Sequence, residues 1–208
     1  MTVLLLIRHG ETDAVGRRLV GRLAGVPLNA RGREQAERLG DALKTVPLAA
    51  VYSSPLERAV STAEPIARGR GLSVDVREDL NEADFGEWTG LEFRELGARP
   101  EFVRWNAERS CTRPPGGEHV AEIQARMARE LLEMTRRHPD ATVAVVGHAD
   151  PLRAALAYFL GMPSDLLLRI DLLPASISAL RIVPGGPTLL AANQVLASDG
   201  RLAIPHVR

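Results

Sequence analysis

The sequence predicts an α/β fold built on a largely parallel sheet. Three observations carry that prediction. Short continuous apolar runs alternate with stretches of helical spacing, three of those runs end abruptly in polar residues, and 208 residues suffice for a substantial buried core. Residues 3–7 are apolar without a break and stop at Arg8, His9 and Gly10. That is the pattern of a strand buried on both faces that delivers polar groups to a loop at its carboxyl end. Over residues 31–44, Ala36, Leu39 and Leu43 fall at helical spacing, and residues 49–52 predict a second strand running into Ser53, Ser54 and Pro55. Pro55 suits the opening of a helix with Leu56, Ala59, Val60 and Ala63 on one face, Arg58 in its first turn, the serines as caps and Pro65 limiting its far end. Residues 82–117 are broken by Gly86, Gly90, Gly97, Pro100, Pro114, Pro115, Gly116 and Gly117, and are expected to form a partly helical lid or cap. Val120, Ile123, Met127, Leu131 and Met134 trace an amphipathic helix that Pro139 closes. Residues 141–146 predict a third apolar strand ending in Gly147 and His148, and Asp150 and Pro151 resemble the cap and first position of a helix that Gly161 terminates. Residues 176–183 and 188–195 flank a turn of Pro184, Gly185, Gly186 and Pro187 and are expected to pair as a hairpin. With no internal repeat, residues 1–208 are expected to form a single domain.

Charge and cysteine usage narrow the partners. Basic and acidic residues each total 26, so no global field favours nucleic acid or a membrane surface, and anion recognition has to be local. The one cysteine, Cys111, cannot form an internal disulfide, and residues 3–7 are too few for a signal peptide or membrane span. A cytoplasmic location is expected. The late hairpin either completes the sheet or offers an edge for a homodimer.

In open α/β sheets, ligands bind outside the carboxyl ends of the strands. Arg8 with His9, Arg58 and His148 all fall there. Singly, each has a plain structural explanation: a capped turn, a solvated helix residue, a core histidine. Their shared topological position points to one site.

The residues in that position also carry a resemblance. Leu6-Ile7-Arg8-His9-Gly10-Glu11-Thr12, then Ser53-Ser54-Pro55-Leu56-Glu57-Arg58-Ala59 with Thr62-Ala63-Glu64, then Leu80-Asn81-Glu82 and finally Val146-Gly147-His148 resemble the histidine phosphatase superfamily, which includes cofactor-dependent phosphoglycerate mutases. The likeness spans residues 3 to about 160. It implies a three-layer α/β/α sandwich with a small cap insertion, no metal or other cofactor, and a covalent phosphohistidine on His9. It makes Glu82 the general acid and His148 a further donor to the transferred group.

Chemistry explains why these residue types belong together. A phosphate ester carries about two negative charges near neutral pH, so positive donors must spread that charge as a nucleophile approaches. Arg8 and Arg58 suit this task, because guanidinium groups stay protonated and offer paired donors. His9 must present a neutral ring nitrogen, so its other nitrogen should donate to a carbonyl or carboxylate. Glu82 needs a raised pKa, which burial against Phe85 or Trp88 would supply and the arginines would oppose. Thr12 and Gly21 join Arg8, Arg58 and His148 as expected substrate-binding residues.

The sequence departs from the family pattern at two places. The asparagine that commonly follows the first motif is missing from Asp13-Ala14-Val15-Gly16, and Arg17, Arg18 or Arg22 are candidates to replace it. His119 follows Gly116-Gly117-Glu118 where serine is frequent, which leaves it without an evident role. His138, at a helix end, His206, in the tail, and Cys111, without a matched base, are not catalytic candidates. The expected function is metal-independent hydrolysis of a small phosphorylated metabolite. An isomerase of the phosphoglycerate mutase type and a phosphate-binding protein without turnover are the alternatives; residues 92–112 lack the longer basic insertion of the mutases.

Overall fold

The computed structural model describes residues 1–183 and 185–196, so Pro184 and His206 lie outside the described residues. In chain order the elements are β1 (Thr2–Arg8), α1 (Ala30–Leu43), β2 (Leu48–Ser53), α2 (Glu57–Ala67), β3 (Val74–Val76), α3 (Phe93–Leu96), α4 (Pro100–Ala107), α5 (Val120–Arg137), β4 (Thr142–Gly147), α6 (Ala149–Phe159), β5 (Ile177–Ile182) and β6 (Thr188–Gln194). One six-stranded sheet runs in the order β3-β2-β4-β1-β5-β6. The first four strands are mutually parallel, β5 is antiparallel to β1, and β6 pairs with β5 as the expected hairpin.

The continuous apolar runs are explained by burial on both faces. Leu4 and Leu6 of β1 and Val143 and Val145 of β4 enter one core, while Leu5, Ile7, Ala144 and Val146 enter the other. Leu39 and Leu43 of α1 and Ala59, Ala63 and Ile66 of α2 cover the second core; α5 and α6 cover the first. Three layers result, as the resemblance implies. Leu4, Leu5 and Ile7 are fully buried, each stabilising the fold by roughly 2 kcal/mol on transfer from water.

The lid segment is part of the first core. A short 3-10 turn at Gly86–Trp88 precedes α3 and α4, and Trp88 meets Phe102 and Trp105 edge-to-face at ring distances of 5.4 and 5.5 Å. Among the described residues no helix is long and apolar enough to cross a membrane.

Local structure departs from the sequence expectations at three helix starts. α2 begins at Glu57, and Leu56 at its cap makes no side-chain cap bond. The serines are not caps. Ser54 N donates to Val146 O, extending the β2–β4 ladder, and its hydroxyl pairs with His148. α6 begins at Ala149 with His148 at the cap position, because the Asp150 carboxylate is drawn to Arg109 and Arg153. His119 gains a role as the cap of α5: its Nδ1 accepts from Ala121 N at 3.2 Å while Glu122 accepts from His119 N at 2.6 Å.

Candidate active site

The carboxyl ends of β1, β2 and β4 lie side by side, with Arg8 opposite Gly147 and Ser53 opposite Val146. His9 N continues the ladder by donating to Gly147 O at 3.0 Å. Beneath the turn that follows, α1 packs so closely that a Cβ on Gly32 would lie 2.0 Å from Glu11 O. Only glycine fits there. Glu11 is occupied structurally, its N–H donating to Gln35 and its carboxylate accepting from Asn29. Thr62 joins the turn to α2, since its hydroxyl accepts from Gly10 N at 3.0 Å and donates to Arg58 O at 2.7 Å.

That frame fixes His9 in one protonation state. Its Nδ1 lies 2.7 Å from Gly10 O. A carbonyl only accepts, so the ring proton sits on Nδ1 and Nε2 keeps its lone pair. Burial, then the charges of Arg58 and Arg8, push the His9 pKa down to about 3, against the opposing bond to Gly10. The acceptor that the sequence leaves unidentified is therefore the next residue's own carbonyl.

His148 stands beside it, ring centroids 5.1 Å apart. Both His148 and Ser54 are fully buried, with His148 Nε2 2.7 Å from Ser54 Oγ. Ser54 Oγ also accepts from Leu56 N at 3.4 Å, and with its O–H donated to Nε2 the His148 proton sits on Nδ1. That Nδ1 lies 4.0 Å from Glu82 Oε2. Burial, with His9 and Arg58, holds His148 well below its ordinary value, so it too is neutral.

Glu82 shows which of the opposing effects prevails. Burial first, and Asp150 second, raise its pKa to about 7 against the Ala83 N–H, Arg58 and Arg8. Desolvation outweighs two arginines because the carboxyl is close to fully enclosed. Arg58 donates through Nη2 to Gly21 O at 2.7 Å, and Arg8 through Nη1 to Leu172 O at 2.6 Å. Among the described residues, Arg8 Nε, Arg58 Nε and His148 Nδ1 are buried without a protein hydrogen-bond partner.

A cleft of about 520 Å³ opens beside them, with His148 and Ser54 buried behind its wall. Arg8, His9, Thr12, Arg58 and Glu82 line it, and it continues past Phe93 and Trp105 to Arg109, Asp150 and Arg153. Gly21 lines it too, with φ +50° and a Cβ position 3.1 Å from the Phe85 ring. Its carbonyl is engaged by Arg58, so it orients an arginine. Of the three arginines offered for the missing asparagine, Arg18 lines the cleft, whereas Arg22 is turned to Glu82 O and Glu118. His138 is held by the Tyr52 hydroxyl and Cys111 is exposed.

Sequence reasoning missed Ser54 as the partner of His148, Thr62 as the link to Arg58, and Asp150 as a neighbour of Glu82. Asp150 was legible only as a helix-start residue. Its burial between Arg109, 2.8 Å away, and Arg153, 3.1 Å away, depends on residues 41 positions apart in the chain.

An α/β sheet that gathers two arginines, two neutral histidines and a carboxyl of raised pKa at its carboxyl edge has the layout of a phosphoester-handling protein. The chain belongs to the histidine phosphatase superfamily (branch 1), whose match covers residues 4–195. It is 36% identical over 167 residues to phosphoserine phosphatase 1 of Hydrogenobacter thermophilus, covering 78% of each chain. It is 39% identical over 180 residues to a bifunctional protein of Mycobacterium tuberculosis, covering 85% of this chain and 49% of that protein, so it spans about half that relative's length. The crystal structure of phosphoserine phosphatase from Entamoeba histolytica in complex with 3-phosphoglyceric acid matches with a TM-score of 0.85 at 27% identity, over 97% of this chain and 100% of that one.

Proposed function

We propose that this protein is a phosphomonoesterase that hydrolyses a small phosphorylated metabolite through a phosphohistidine on His9, without a metal. The observation that carries this reading is the His9 tautomer, with Nδ1 pinned to Gly10 O and Nε2 left as a nucleophile in a cleft flanked by buried guanidinium groups. Nε2 attacks phosphorus, the ester P–O bond breaks, and Glu82 gives its proton to the departing alkoxide. Arg8, Arg58 and the Nδ1–H of His148 spread the charge of the transferring group. Water then attacks the phosphohistidine, Glu82 takes the water's proton, the N–P bond breaks, and inorganic phosphate leaves. A carboxyl that titrates near 7 can serve both steps at neutral pH. Segment 82–117 acts as the cap over the leaving group, with Thr12 and Arg18 lining the substrate's surroundings. Phosphoserine, named in two of the similar proteins, is the first substrate to try.

The test incubates the protein in EDTA with phosphoserine, 3-phosphoglycerate and an aryl phosphate, measuring phosphate release and isomer formation. Phosphate release is expected; fast isomerisation of 3-phosphoglycerate with negligible release would overturn hydrolysis in favour of a mutase. His9→Ala should abolish turnover and acid-labile phosphate incorporation while the fold persists. Retained labelling would move the nucleophile elsewhere.

A further inference from the structure

We propose that Arg126, together with Arg22 and Glu118, is the positioning device that holds the Glu82 segment at the distance and in the enclosure an acid needs; this rests on Glu82 being the acid. Asn81 and Glu82 follow a 3-10 turn at Glu78–Leu80; Asn81 N donates to Glu78 O and Glu82 N to Asn81 Oδ1, both at 2.9 Å, but these bonds are local and do not tie the segment to the rest of the fold. One buried guanidinium does. Arg126 Nη1 donates to Asp79 O and Asn81 O, both at 2.7 Å, and Nη2 reaches Glu82 O at 3.3 Å. The same side chain grips Glu118 with Nε at 3.0 Å and Nη2 at 3.1 Å. Arg126 lies three residues after Ile123, on the apolar face of α5, which buries a charge that only this set of acceptors repays.

A second grip comes from the opposite side. Arg22 Nε donates to Glu82 O at 2.8 Å and Nη2 to Glu118 Oε2 at 2.8 Å. Glu118 also accepts from Asp84 N at 3.0 Å, which anchors the chain beyond the acid. Burial alone would raise the Glu118 carboxyl, but the hydrogen bonds and charge of Arg126 outweigh it and hold it below its ordinary range. Glu118 is thus an anion between two guanidiniums, which assigns a purpose to the Gly116-Gly117-Glu118 segment.

The arrangement also links the two halves of the reaction. Gly21 O receives Arg58, and the next residue, Arg22, holds Glu82 O. Two adjacent residues therefore tie the arginine that faces phosphate to the backbone of the group that delivers the proton. Misplacing a catalytic group by about 1 Å costs on the order of 10²-fold in rate, so a rigid tether of this kind matters for turnover. Arginine suits the position because its fork of five N–H donors spans several acceptors at once, whereas lysine presents one compact charge.

The groups that act on the Glu82 carboxyl are the Ala83 N–H, Arg8 from the end of β1, Arg58 from α2, and His148 and Asp150 from the start of α6. Arg126 holds the backbone behind it. Removing the Arg126 charge by itself would raise the Glu82 pKa, whereas loosening the segment admits water and lowers it. The two effects have opposite signs, and Arg126→Lys keeps the charge.

The experiment compares wild type with Arg126→Lys on phosphoserine, an alkyl ester, and p-nitrophenyl phosphate, an aryl ester, across pH 5 to 9. Positioning predicts that kcat on phosphoserine falls roughly 10- to 100-fold, a large share of what general acid catalysis contributes, with KM changed less than about twofold. The aryl ester, which needs little protonation, should lose less than about threefold, and the alkaline limb for phosphoserine should move down by about one pH unit. In a Glu82→Gln background, Arg126→Lys should cost nothing further on phosphoserine. Equal losses on both esters, an unmoved limb, or additive losses in the double variant would overturn the proposal. If Glu82→Gln itself shows no leaving-group dependence, the acid assignment falls; if it does and Arg126→Lys does not, only the positioning role falls. Should Arg126→Lys fail to fold by circular dichroism, Arg22→Ala reads the same signature, because Arg22 reaches Glu82 O from a partly exposed side.

Discussion

Replacing Glu82 by glutamine turns the raised carboxyl into a stability measurement that needs no substrate. Glutamine keeps the shape and can still accept from Ala83 N, which lies 2.8 Å from Glu82 Oε1 in the native protein. It cannot ionise. Raising the folded-state value from the ordinary 4.5 to about 7 corresponds to ~3 kcal/mol of differential interaction, at 1.36 kcal/mol per pH unit. The sign follows from which state binds the proton more tightly. Here it is the folded state, so the stabilising contribution is fully present below pH 4.5 and is lost as pH rises through about 7. The Glu82 side chain is 12% exposed, so screening removes little of this. Urea unfolding of wild type and Glu82→Gln at pH 5 and pH 8.5 is the assay, and other ionisable groups cancel in the difference. The variant should match wild type within about 1 kcal/mol at pH 5 and exceed it by ~3 kcal/mol at pH 8.5, a large fraction of a typical folding free energy. An equal difference at both pH values would mean that Glu82 ionises as an ordinary surface carboxylate, and the acid assignment would lose its physical basis.

Two other substitutions address neighbouring groups. Ser54→Ala removes the hydroxyl 2.7 Å from His148 Nε2, so the ring proton redistributes between its nitrogens. kcat should fall roughly tenfold with KM little changed, and nitrogen-15 spectra of the His148 ring should shift; an unshifted spectrum would rule out the assigned tautomer. Asp150→Asn strips the shared carboxylate from Arg109 and Arg153, at an expected cost of ~3 kcal/mol in urea unfolding because the buried Arg109 guanidinium loses its counter-charge, while Arg153 keeps Asp171. It also removes a group that raises Glu82, so the alkaline limb on an alkyl ester should move to lower pH; a stationary limb would show that burial alone sets the acid.

The parts of the fold that were legible in the sequence share a physical cause. Residues 3–7 and 143–146 are buried on both faces, so every position is apolar and the run announces itself. α5 announces itself through Ile123, Met127, Leu131 and Met134, which one face must bury. β3, only three residues long, with Asp75 exposed, has no such period and escaped. The helix starts slipped because a serine or aspartate has more than one use. Ser54 extends a ladder and serves His148, and Asp150, inside the first turn of α6, answers Arg109 and Arg153, so neither caps its helix.

For the site, the sequence alone supplied candidates. Arg8, His9 and His148 at strand ends and Arg58 in the helix after one follow from residue type and local pattern, which are short-range properties, while Glu82 came from the family resemblance. The tertiary structure decided their protonation and their support. Gly10 O fixes the His9 tautomer, enclosure lifts Glu82 over the pull of two arginines, and Gly21, Arg22, Glu118 and Arg126 turn out to hold the machinery in place. Those outcomes depend on desolvation and on contacts between residues far apart in the chain, 94 positions for Ser54 and His148 and 96 for Arg22 and Glu118. No local pattern in a chain encodes such quantities, because burial is a property of the packed whole.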